Sequence, residues 1–447
     1  ASFVASGALN ENTRGRIAAS YREMDGHYKN VFTNEDDAVD YLEDTTVRGR
    51  LIWDAEDNIQ VDMRAAISEV KAGAINFNAV FAIPAFASNF ASDTYFADVN
   101  DHDFTFAFDV PGINEQETVE FAIKTDIALE WADLTLIGSY NDLEEYLLSD
   151  GTAATFLGYE FTDACVADRV AVNSVTRPDL FGAPYQPFFV GPPGTDPTAQ
   201  VYGPYTPTAC DGYQYQERNQ QDASFEARLA SDTSQAVRWI GGVYFADIKR
   251  EVVVTYGADR NQGFDLSPYV APDGPNPTDL AFNDRFNTRV YAAYGQLEFD
   301  LNETMELAFA ARYDLEERDV TNRVPNVTSS GLNFNLAGQP INPGFAAFPN
   351  GIPDRDEDFE QFQPKVSWNW QAAEDINVYA SWGIGFRSGG FNNQGTADLL
   401  DYWFNSNGGD CVSLGTGSPD AFIQPGNCVN AGLGVTDEYE KEVSETL

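Results

Sequence analysis

Long strands that come in pairs, joined alternately by short turns and long polar loops, are the feature that most restricts what this chain can become. One copy sets Val119, Phe121, Ile123, Ile127, Leu129 and Trp131 against Glu120, Lys124, Asp126 and Glu130. Another sets Met305, Leu307, Phe309, Ala311, Tyr313 and Leu315 against Glu306, Arg312, Asp314 and Glu316. Side chains alternate between faces along a strand, so each strand has one apolar and one ionic face. A sandwich core could use such an apolar face. It does not need strands this long, in pairs, with short and long connections strictly alternating. A barrel with lipid outside, water inside, short turns at one rim and long loops at the other needs all of these.

The strand pairs read as residues 2–9 with 15–25, 46–53 with 59–72, 118–131 with 133–147, 221–230 with 237–255, 287–300 with 303–320, and 362–370 with 376–391. The turns within pairs carry polar breakers such as Asn10-Glu11-Asn12, Ala132-Asp133 and Leu301-Asn302. Between pairs lie residues 28–44, 73–117, 148–220, 257–286, 323–360 and 392–436. Loops beyond about 15 residues are uncommon in compact domains and are functional or disordered. Trp53, Trp131, Trp239, Trp368 and Trp370 all fall near a short turn. Indole rings favour a membrane–water boundary, which predicts an aromatic girdle at that rim; a hydrophobic end-cap is the alternative.

At 447 residues, the chain suits one large barrel or two to three globular domains. Its net charge of −44 argues against nucleic acid as a partner. No run approaches the about 20 apolar residues of a spanning helix, whereas a spanning strand needs only about 9–11 residues, half of them apolar. Residue 1 is alanine, no leader precedes the first strand, and residues 438–447 read as a strand just starting. The expectation is therefore an incomplete barrel over residues 1–447, part of a longer protein.

Cys165 and Cys210 lie in one long loop, and Cys411 and Cys428 in another. None has CxxC spacing, and with only two histidines a zinc site is not expected. Of the three possible pairings, a disulfide within each loop is the simplest, and it implies an oxidising compartment. Tyr185, Phe188, Phe189, Tyr202, Tyr205, Tyr213 and Tyr215 crowd the longest loop. They could stack on a ligand, or pack loops against one another. Asp354-Arg355-Asp356-Glu357-Asp358 offers oxygen ligands, but lacks the spacing of a calcium loop and reads more simply as a solvated run. Neither His27 nor His102 has a Ser or Cys partner, and no cofactor motif stands out, so an enzyme is not expected.

Residues 378–392, Val-Tyr-Ala-Ser-Trp-Gly-Ile-Gly-Phe-Arg-Ser-Gly-Gly-Phe-Asn, resemble a strand of TonB-dependent outer-membrane receptors. Residues 15–21 followed by Asp25-Gly26, residues 239–245, and residues 294–299 leading into 307–314 resemble the same family in the same order. The resemblance covers most strands and almost none of the loops. It implies a transmembrane antiparallel barrel of about 22 strands, closed by an N-terminal plug and driven by a TonB complex. No plug or TonB box is present, and the strands amount to part of such a barrel, so plug and C-terminal strands are expected outside residues 1–447. The function implied is active uptake, across a bacterial outer membrane, of a scarce large nutrient: a ferric siderophore, haem, cobalamin or oligosaccharide. Outer-membrane lipid, the TonB complex and that ligand are the implied partners. The alternative is a passive porin, or a surface all-β binding protein, without energy coupling.

Overall fold

The computed structural model describes residues 1–30, 34–37, 39–74, 104–106, 110–150, 167, 212–259, 262–271, 273–327, 341–342, 344–392 and 437–447. The strands are β1 (Ser2–Asn10), β2 (Thr13–Met24), β3 (Lys29–Asn30), β4 (Leu42–Glu56), β5 (Ile59–Ala72), β6 (Thr105–Phe106), β7 (Ile113–Ala128) and β8 (Asp133–Asp150). They continue with β9 (Gly212–Ala230), β10 (Val237–Ala258), β11 (Thr278–Asn302), β12 (Met305–Asn322), β13 (Arg355–Ala373), β14 (Ile376–Arg387), β15 (Gly390–Phe391), β16 (Glu438–Tyr439) and β17 (Glu442–Thr446). Thirteen of them form one sheet in the order β1-β2-β4-β5-β7-β8-β9-β10-β11-β12-β13-β14-β17, antiparallel throughout. Each strand therefore hydrogen-bonds the next long strand in sequence, the meander of an up-and-down barrel wall. No helix among the described residues is long and apolar enough to cross a membrane.

Short turns close the predicted pairs. Asn10 and Asn302 accept from the backbone N–H two residues on, at 2.9 Å each, and Asp232 does the same for Ser234 at 2.8 Å. Short Asx side chains stand in for a backbone carbonyl in this way and set the reversal. Two turn positions differ from the sequence reading. The turn after β11 is Glu303-Thr304 rather than Leu301-Asn302, because Asn302 serves as the Asx residue. Trp131 lies in the turn after β7, which ends at Ala128.

Register carries one face unbroken across the sheet. Ile17 pairs with Gly49, Val47 with Ile67, Ile67 with Val119, and Phe121 with Tyr140. The row continues through Phe225–Phe245, Phe245–Tyr291, Leu297–Phe309 and Phe309–Val366 to Trp382. These side chains are exposed rather than cored: Phe3, Ile67, Phe225, Val243 and Phe309 are between 45% and 63% accessible. Such a surface is stable only against an apolar medium, since monomeric soluble proteins rarely expose contiguous patches of this size. At its short-turn rim Trp131 stacks on Trp239 at 6.2 Å, and Trp368 on Trp370 at 5.9 Å. The predicted girdle is there.

The strands overrun their predicted ends on the loop side. β9 starts at Gly212 rather than Gln221, and β11 at Thr278 rather than Asn287. Beyond the apolar band the outward positions turn polar, as at Glu217, Asn219, Arg285 and Asn287, so alternation disappears while the backbone ladder continues. Among the described residues, the two buried apolar clusters form around these extensions. Val110, Leu148, Tyr213 and Tyr215 form one, and Ala281, Val324, Ile341 and Phe345 the other. The predicted strand 376–391 breaks at Ser388-Gly389, and β15 pairs instead with β16. Gly389 permits this: a Cβ there would lie 2.2 Å from the Tyr439 carbonyl oxygen and 2.5 Å from the Phe359 ring.

Candidate functional site

The opposite face of the sheet is polar, and many of its charges are bracketed by partners. Alternation places Tyr244 on β10, Tyr294 on β11, Arg312 and Asp314 on β12, Glu226 and Arg228 on β9, and Gln363 on β13 on this face. Arg312 donates to Asp314 from Nε at 2.9 and 2.8 Å and from an Nη at 2.6 Å. Gln363 donates to the same carboxylate at 2.5 Å. The Arg312 guanidinium also lies 5.8 Å from the Tyr244 ring centroid and 5.9 Å from that of Tyr294. Tyr294 Oη donates to Glu226 at 2.7 Å, with Arg228 3.6 Å from that carboxylate. Gly242 makes room: a Cβ there would come within 2.6 Å of the Tyr294 ring.

Two further groups line the same face nearer the short turns. Asp62 takes hydrogen bonds from Arg50 at 2.7 Å and Arg64 at 2.8 Å. Arg238 reaches Glu298 at 3.1 Å, Asp300 at 2.7 Å and Glu306 at 2.6 Å. Charges in this pattern need water or polar partners beside them, since ion pairs without such support do not recover their desolvation. The chemistry offered is multivalent hydrogen bonding and a cation over aromatic rings, which is binding chemistry. Among the described residues no group of three or more His, Cys, Asp or Glu could hold a metal ion.

The residues singled out from sequence fall differently. Tyr185, Phe188, Phe189, Tyr202 and Tyr205, all four cysteines, and His102 lie outside the described residues. Tyr213 and Tyr215 are in β9, not in a loop, and each is only 2% accessible. Tyr213 packs edge-on against Phe264 at 5.2 Å, and burial pushes its hydroxyl up to about 12. Tyr215 donates to Glu217 at 2.8 Å, and burial followed by that carboxylate raises it further. Their faces are therefore covered by protein. The acidic run 354–358 is not a free loop either, since β13 starts at Arg355, which pairs with Asp437 at 3.3 Å. Sequence reasoning missed Tyr244, Tyr294, Arg312 and Asp314 as a group. Their parity opposite the apolar residues was the available signal.

The family model for the β-barrel of TonB-dependent receptor-like proteins matches residues 7–427. No curated protein matches the sequence. Among solved structures, the ferric yersiniabactin uptake receptor FyuA from Yersinia pestis superposes with a TM-score of 0.56 at 12% identity, over 88% of this chain and 45% of that one. The ferric-catecholate import receptor Fiu from E. coli K12, in its closed form, gives 0.54 at 10% identity, over 87% and 48%. The chain thus spans about half the length of these structures. At such identities the likeness concerns the fold: the antiparallel sheet is barrel wall, its apolar face points outward and its polar face lines the lumen. An outward apolar face, a girdle at the short-turn rim, a charged lumen wall and the match over residues 7–427 together place this chain, through its β-barrel, in the TonB-dependent receptor family of bacterial outer-membrane proteins.

Proposed function

We propose that the full-length protein is an energy-coupled receptor, taking up a scarce large nutrient of the ferric siderophore, haem, cobalamin or oligosaccharide kind. Family membership over residues 7–427 is the observation that carries this reading. The barrel belongs to a receptor class, and FyuA and Fiu, with which it shares its fold, are uptake and import receptors for ferric chelates. In this reading the apolar band sits in outer-membrane lipid, and an N-terminal plug fills a lumen too wide for side chains to close. The plug docks on bracketed charges such as Arg238 with its three carboxylates, and carries the contact to TonB. Cys165 pairs with Cys210 and Cys411 with Cys428, stiffening the loops that capture ligand. The aromatics Tyr185, Phe188, Phe189, Tyr202 and Tyr205 belong to that capture surface.

The test uses the full-length receptor, produced under iron and under carbon limitation to identify the nutrient class. Deleting the tip 191–206 is expected to abolish ligand binding while a heat-resistant barrel remains in the membrane. Binding that survives both this deletion and deletion of 408–432 would move capture to the lumen wall and plug. Uptake that continues undiminished without TonB would refute energy coupling.

A further inference from the structure

The lumen face is not charged evenly. Short of their turns, the lumen-facing positions of β2, β4 and β5 carry six arginines against three carboxylates, Asp44, Asp54 and Asp62. The whole chain has 26 Lys and Arg against 70 Asp and Glu. Register concentrates four of those arginines. Arg16 stands opposite Arg50, Arg50 stands opposite Arg64, and Arg48 is the next lumen-facing residue above Arg50. Like charges placed directly opposite repel one another, so an anion among them is stabilising.

The wall supplies little of that relief. Asp62, 8% accessible, lies beside the row towards the turn and accepts from Arg50 and Arg64. Glu120, opposite Ala66, pairs with none of the four. Arg14 and Lys124, nearer the turns, are held by Asp54 at 3.0 Å and Asp126 at 2.7 Å. Arg16 and Arg48 are exposed and make no ion pair or side-chain hydrogen bond among the described residues. Their neighbours are small: Ser6 opposite Arg16, Ala18 and Ala66 on either side of Arg48, and Ala122 opposite Arg64. The four guanidinium groups therefore border an open basin. Three strands at ordinary spacing put Arg16 and Arg64 about 10 Å apart at the backbone, the span of one compact polyanion.

We infer that this basin is a transit subsite for a polyanionic nutrient, one bearing clustered carboxylate or phosphate groups. The inference rests on the uptake reading above and narrows its substrate class away from neutral oligosaccharide. Guanidinium forks bind both kinds of anion through paired charge-assisted hydrogen bonds. The basin lies three to six residues from the short turns, about 10–20 Å along the strands, so it serves the ligand after the loops have captured it. Charges that the wall brackets for itself, as Arg238 with its three carboxylates, suit a plug that stays in place. Open guanidinium groups suit a partner that comes and goes.

The experiment labels the full-length receptor in detergent micelles with phenylglyoxal, which modifies accessible guanidinium groups, and maps the adducts by peptide mass spectrometry. Propane-1,2,3-tricarboxylate and tripolyphosphate are the polyanionic probes, and maltotriose is the neutral control. Arg16 and Arg48 are expected to react, and either polyanion at saturation to slow their labelling about tenfold, as occupancy of a bound site requires. Maltotriose should leave the labelling unchanged. Calorimetric titration of tripolyphosphate should find binding about tenfold or more weaker in Arg16→Gln/Arg48→Gln, which removes two charge-assisted donors without a protein partner and so spares the fold. Arg22→Gln, on the same face above the basin and opposite Asp44, should bind as wild type. The inference is overturned by labelling that no polyanion slows, by unchanged affinity in the double variant, or by equal loss in the Arg22 control. It is overturned equally by Arg16 and Arg48 that do not react in the full-length receptor, since the plug would then cover them. Neither readout involves TonB. Uptake independent of TonB with protection intact would refute the uptake reading alone, and absent protection with TonB-dependent uptake would refute the subsite alone.

Discussion

Arginine placed at Phe309 and at its neighbour Ala310 should have very different consequences. Phe309 lies on the apolar face between Leu297 and Val366, is 45% accessible, and meets Phe299 edge-on at 6.2 Å. A charge on that face near mid-membrane costs about 2–4 kcal/mol, and loss of the aromatic pair adds about 0.5–1.5 kcal/mol. Phe309→Arg should therefore destabilise the barrel by about 3–5 kcal/mol. Ala310 faces the lumen between Gln296 and Lys365. An arginine there stays wet, and the charge directly opposite it is the like charge of Lys365, a cross-strand repulsion of about 0.2–1 kcal/mol. The assay is urea unfolding of the full-length receptor in lipid vesicles, followed by tryptophan fluorescence and by the heat-sensitive gel mobility of the folded barrel. Equal penalties at the two positions would refute the assignment of the apolar face to lipid, and with it the inside–outside reading of every strand in the register.

Gly242→Ala should cost about 1–3 kcal/mol by overpacking, because the new methyl meets the Tyr294 ring at 2.6 Å and the Ala227 carbonyl oxygen at 2.9 Å. Gly241→Ala, whose nearest contact is 3.8 Å, should be tolerated, and the same unfolding assay compares the two. Alkaline titration should find Tyr213 ionising near pH 12, above the ordinary value of 10.0, because burial disfavours the phenolate. Its folded value is raised, so its contribution to stability is full below pH 10.0 and is lost as pH rises towards about 12. The tyrosinate absorbance removed by Tyr213→Phe should be the late-titrating part, and an early-titrating loss would contradict the burial. Non-reducing peptide mapping should recover Cys165 linked to Cys210 and Cys411 linked to Cys428; four free thiols or crossed pairs would remove that pairing.

What the amino-acid sequence determined by itself was the alternation of Val119 to Ile127 and Met305 to Leu315, the breakers between paired strands, and the tryptophans near one set of turns. These are local properties, because a side chain's face follows from its parity and a turn from two or three residues. The all-β class, the outward face and the family were legible for that reason. The reach of β9 back to Gly212 and of β11 to Thr278 was not, since above the apolar band neither face has to be greasy and the strands are marked by backbone pairing with their neighbours rather than by alternation. The interruption at Gly389 was equally hidden, because it depends on how closely the Tyr439 carbonyl approaches. Tyr213 and Tyr215 looked like loop aromatics until pairing with Gly257 and Leu148 drew them under Phe264 and Val110. Arg312 with Tyr244, Tyr294 and Asp314 draws on three adjacent strands. Which residues stand opposite one another there is decided by cross-strand register, carried across connections of many residues, and only the tertiary structure settles it.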